Sequence, residues 1–67
     1  MKSILTKRER EVFQLLIMKY STKDIANELC ISEKTVRNHI SNVIQKLCLK
    51  SRSEAILELL KMHEFDL

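Results

Sequence analysis

Placed at about 100° per residue, Lys34, Arg37, Asn38, Ser41 and Gln45 fall on one stripe of a helix. An arginine on such a stripe can donate two hydrogen bonds to O6 and N7 of guanine. An asparagine can pair with N6 and N7 of adenine, and serine and lysine adapt to several partners. None of the five is a carboxylate, so nothing on the stripe repels a phosphate. Thr35, His39, Asn42 and Lys46 run along one flank. Their hydroxyl, imidazole, amide and ammonium groups suit the sugar-phosphate backbone, which positions a protein without carrying sequence information. The chemistry on offer is recognition of base edges by Lys34, Arg37, Asn38 and Ser41, with the flank as anchor.

A polar stripe is also what the solvated side of any amphipathic helix looks like. The elements around it decide between the two. On the opposite side of the same helix, Val36, Ile40, Val43, Ile44 and Leu47 form an apolar face that needs a core. Helix starts are marked four times. Thr6 with Glu9, Ser21 with Asp24 and Ser51 with Glu54 have capping-box spacing, with Asp standing in for Glu in the second. Ser32 before Glu33 marks a fourth start without the reciprocal partner. The spacing predicts helices over residues 7–19, 22–29, 33–47 and 52–62, with a loose end beyond. Inward positions are Val12, Phe13, Leu16 and Ile17 on the first helix, and Ile25, Ala26 and Leu29 on the second. On the fourth they are Ala55, Ile56, Leu59 and Met62, with Leu60 at the edge; Leu57 falls on the far side with Ser53 and Lys61. The second helix, a turn at Cys30-Ile31-Ser32 and the third helix are the two limbs of a helix-turn-helix. Lys23, in the first turn of the first limb, stands where a helix N-terminus can approach a phosphate.

Sixty-seven residues make one domain, here residues 1–67. The chain has no glycine, no proline and three aromatic residues. Hairpins and phosphate-cradling loops need glycine at positive φ, so the fold class is all-α. Cys30, Cys48, His39 and His63 have no metal-ligand spacing, and neither metal nor cofactor is expected. Both thiols read as small buried or turn residues in a reducing compartment. No apolar run reaches the length of a membrane span and no signal sequence opens the chain, which predicts a cytoplasmic protein without a membrane partner. Residues 1–20 carry five basic and two acidic groups, residues 21–52 six and three, and residues 53–67 one and four. A basic body with an acidic tail suits a polyanion that the C-terminus does not touch. No nucleophile, base and orienting group can be assembled, so an enzyme is not expected.

Several linked motifs resemble the LuxR-type DNA-binding domain. They are LTKREREVF over 5–13, STKDIA over 21–26, ISEKTVRNHI over 31–40, and Lys46-Leu47. The resemblance covers nearly the whole chain. It implies a four-helix transcription regulator that binds double-stranded DNA as a homodimer, with the third helix in the major groove and the fourth as the dimer contact. Base contacts in that family fall at positions that here are Lys34, Arg37, Asn38 and Ser41. Thr35, His39 and Lys46 fall at or near the backbone contacts. Relatives usually place glycine where this chain has Lys19 and Cys48. If those turns keep positive φ, each non-glycine residue adds roughly 1 kcal/mol of strain. Leu57, with Ser53 and Lys61, suits a self-complementary contact across a two-fold axis. RNA polymerase is a further candidate partner.

Three other readings predict different things. The output domain of a two-component response regulator would share these motifs; Met1 just ahead of them and their wording favour a stand-alone regulator controlled by its expression level. Region 4 of a sigma factor shares the Thr-x-Arg-Glu-Arg opening, but the capped helix after Lys50-Ser51-Arg52 speaks against it. A protein-interaction module would carry an apolar patch where Lys34, Arg37, Asn38 and Ser41 stand.

Overall fold

The computed structural model describes residues 4–62. His63 and the expected loose end lie outside those residues. Four α-helices follow in order, and no strand occurs among the described residues: α1 Lys7–Ile17, α2 Thr22–Leu29, α3 Glu33–Lys46 and α4 Arg52–Lys61. Helix α3 packs against each of the other three, and α1 also touches α2. The polar stripe therefore rides on the helix that packs against all three others.

Each helix starts with a hydroxyl that accepts a hydrogen bond from the third residue onward: Thr6 from Glu9, Ser21 from Asp24, Ser32 from Thr35 and Ser51 from Glu54. These bonds satisfy N–H groups that the helices leave unpaired. Only Thr6 and Glu9 complete the reciprocal box. The aspartate at 24 is one methylene shorter than glutamate, and Glu54 turns its carboxylate to the backbone N–H of Lys50 instead.

The helix ends share one device. Lys19, Cys30 and Cys48 take φ of 73°, 58° and 58°. At each, two backbone bonds close the turn. Lys19 and Tyr20 donate to Leu16 and Leu15, Cys30 and Ile31 to Asn27 and Ala26, and Cys48 and Leu49 to Gln45 and Ile44. This is the Schellman arrangement, in which the left-handed residue is usually glycine. Positive φ at Lys19 and Cys48 is as expected for family glycine positions. Cys30 is a third such residue that the sequence reading took only as part of a turn. The left-handed turns also end α1 at Ile17 rather than Lys19, and α3 at Lys46 rather than Leu47.

The core is built from Leu5, Val12, Phe13, Leu16, Ile25, Ala26, Val36, Ile40, Val43, Ala55 and Leu59. Leu29, Ile44, Leu47 and Ile56 pack against it while partly exposed. Met62, expected inward, is 41% exposed: α4 stops at Lys61, so Met62 is its C-cap rather than a helical position. Ile17 is likewise only half-buried, at the end of α1. Of the two expected settings for the thiols, Cys30 and Cys48 take the turn rather than the buried one, and both are exposed.

Candidate nucleic-acid interface

Burial of Val36, Ile40 and Val43 fixes the rotation of α3. With that side inward, Lys34, Arg37, Asn38, Ser41 and Gln45 are all exposed on one face, and none of these five is a carboxylate. A shift of the helix by a quarter turn would bury part of this stripe, so the core sets what faces outward. Of the flanking residues, Thr35 and His39 are half-buried and Asn42 is exposed. Lys23 is exposed in the first turn of α2.

Two of these side chains already have partners. Arg37 Nη1 lies 3.3 Å from Glu33 Oε2, one helical turn away. The spacing of four between Glu33 and Arg37 is the sequence signal for this pair. The Thr35 hydroxyl lies 2.9 Å from Ser32 Oγ, which ties it to the helix start.

Lys46 stands apart from the other flanking residues. Its Nζ donates to Glu9 Oε1 at 2.6 Å and to the carbonyl of Ile4 at 3.0 Å. Glu9 is 4% exposed, and the same carboxylate oxygen accepts the Thr6 N–H at 2.9 Å. Burial pushes the Glu9 carboxyl up, but the hydrogen bonds from Lys46 and Thr6 and the ammonium charge outweigh it. The carboxyl is held below its ordinary range. An ammonium held this way is partly withdrawn from the surface, though 36% of its side chain remains exposed. Nothing local in the sequence joins residues 9 and 46.

On α4, Leu57 is 61% exposed, and Ser53 and Lys61 are exposed with it. Ala55 and Leu59 fill the opposite side against the core. Among the described residues, no group of three His, Cys, Asp or Glu side chains is placed to hold a metal ion. No helix among them is long and apolar enough to cross a membrane.

Residues 3–59 match the family model for bacterial regulatory proteins, luxR family. Over 66 residues, the chain is 65% identical to the spore germination protein GerE of Bacillus subtilis (strain 168), covering 98% of this chain and 89% of that protein. It is 50% identical over 58 residues to the transcriptional regulatory protein DegU of Brevibacillus brevis, covering 87% of this chain and 25% of that one. The solved structure of the transcription factor GerE superposes with a TM-score of 0.94 at 66% identity, over 97% of both chains.

Proposed function

The chain belongs to the luxR family of bacterial regulatory proteins, and on that premise we propose how it engages DNA: as a homodimer, with α3 of each copy in the major groove. The family makes it a non-enzymatic, DNA-binding transcription regulator of the helix-turn-helix kind. The observation that carries the finer reading is the outward stripe of Lys34, Arg37, Asn38 and Ser41 on the central helix. In this reading those four side chains contact base edges. Lys23, Thr35, His39, Asn42 and Lys46 face the sugar-phosphate backbone, and Ser53, Leu57 and Lys61 of α4 meet their copies across a two-fold axis. The 65% identity to a spore germination protein supports genes of the spore as targets. A DNA partner supports a cytoplasmic location, and RNA polymerase is the further protein such a regulator meets at a promoter.

The experiment begins with a duplex selected by the protein from a random-sequence pool, whose footprint gives the half-site spacing. Arg37→Ala and Asn38→Ala are then measured against every single-base variant of that duplex. Each should cost about 1–3 kcal/mol on the selected site and relax choice at one base pair, a G·C for Arg37. Binding should weaken steeply with salt, since neutralised phosphates release counterions. A nearly flat dependence on salt would favour the protein-interaction reading. Uniform loss of affinity in both variants would make these residues phosphate contacts and rotate the reading stripe toward Thr35 and Asn42.

A further inference from the structure

We infer that Glu33 is a specificity-determining residue, one that holds Arg37 in place for a base and withholds it from phosphates; this rests on the base-reading role proposed above for Arg37. The two side chains meet at 3.3 Å, Glu33 Oε2 to Arg37 Nη1, across one turn at the start of α3. Both are well exposed, Arg37 at 55% and Glu33 at 42% of the side chain. An exposed pair of this kind adds little to fold stability in water. The core of the domain does not need it.

Against a duplex the same pair behaves differently. Water leaves the interface, and the attraction between carboxylate and guanidinium strengthens as the local dielectric falls. Guanidinium has five N–H donors in a rigid fork. With one arm on Glu33, the remaining edge is presented in a fixed direction to the two acceptors of guanine. On the wrong base, the fork must either break from Glu33 or leave its outward donors unpaired. On a non-cognate duplex, the carboxylate offsets the charge that Arg37 would otherwise spend on a phosphate. Glu33 thus sharpens choice by weakening binding to everything else.

The test compares Glu33→Gln, Glu33→Asp and Arg37→Ala on the selected duplex, its single-base variants and an unrelated duplex, with circular dichroism to verify helix content. In Glu33→Gln, affinity for the unrelated duplex should rise about threefold. Discrimination at the base pair read by Arg37 should fall at least about fivefold, out of the roughly 5- to 150-fold that a bidentate contact supplies. Glu33→Asp keeps the charge but draws the carboxylate back by one methylene and so loosens its hold on Arg37. It should lose the discrimination as Gln does while binding the unrelated duplex as weakly as wild type. In an Arg37→Ala background, Glu33→Gln should change preference at no position. If Arg37→Ala alone loses discrimination while both Glu33 variants keep it, Glu33 is inert and the proposal falls while base reading by Arg37 stands. If Asp behaves as wild type and only Gln fails, charge repulsion replaces positioning. If Arg37→Ala itself changes preference nowhere, the reading of Arg37 falls, and this proposal with it.

Discussion

Lys46 Nζ sits 2.6 Å from Glu9 Oε1, joining the last turn of α3 to the first turn of α1 across 37 positions of sequence. The ammonium also holds the carbonyl of Ile4, so the segment entering α1 is fastened to the same point. A residue proposed above as a backbone contact is therefore a structural clasp.

Lys46→Met should leave a buried carboxylate short of its strongest donor and cost about 1–3 kcal/mol of stability, read by thermal or denaturant unfolding. Adding Glu9→Gln should recover part of that loss, because a neutral amide is less costly to bury. DNA binding is then compared where both proteins are folded. A uniform loss across sequences with a shallower salt slope marks Lys46 as a phosphate contact besides its structural role. An unchanged slope confines it to the clasp.

The Glu9 carboxyl lies below its ordinary range in the folded chain, so its contribution has a defined pH window. Stability from this group is fully present above the unfolded carboxylate value of about 4.3 and is lost as pH falls through the lower folded value. Denaturant midpoints of wild type should drop on acidification from about pH 5 to pH 3, using that reference value. Those of Glu9→Gln should drop less, so the two curves converge toward acid. Parallel curves over that window would show that Glu9 does not carry the acid limb.

Leu57→Glu should abolish dimerisation and leave each monomer folded, since the side chain lies outside the core. Sedimentation equilibrium reports the first and circular dichroism the second. Collapse of helicity would place Leu57 in the core and shift the register of α4; a dimer that survives would put the two-fold contact elsewhere.

Lys19→Gly and Cys48→Gly should each stabilise the domain by about 1 kcal/mol, because glycine takes positive φ without a Cβ clash. For a chain of this size, that corresponds to a rise in Tm of roughly 4–8 °C. Lys19→Ala is the control and should give no gain. Loss of stability in the glycine variants would mean that the side chains contribute more than their backbone strain costs.

The four helices and the outward stripe were legible because each is a local matter. A hydroxyl three residues ahead of an N–H, and an apolar period on α3, are written within a few positions of sequence. The clasp was not, since Glu9 reads equally well as a capping-box partner of Thr6 and does serve as one. Leu5 joins the core from outside any helix, where periodicity is silent. Cys30 falls in the expected turn, but its left-handed backbone has no glycine to announce it, and Met62, expected inward, falls where the helix has just ended. The Glu33–Arg37 pair has a local signal, its spacing of four, but the same spacing fits two independently solvated side chains.

The two left-handed cysteines bracket α3, Cys30 just before it and Cys48 just after. Both thiols are free and exposed, and they are the only two in the sequence. They form a native pair of attachment points for spin labels or fluorophores, fastened to hydrogen-bonded turns rather than to loose loops. Within one molecule the separation between labels is a ruler fixed by the length of α3. Any additional distance in the spectrum must come from a second copy, and its change on a duplex would report how two reading helices are spaced.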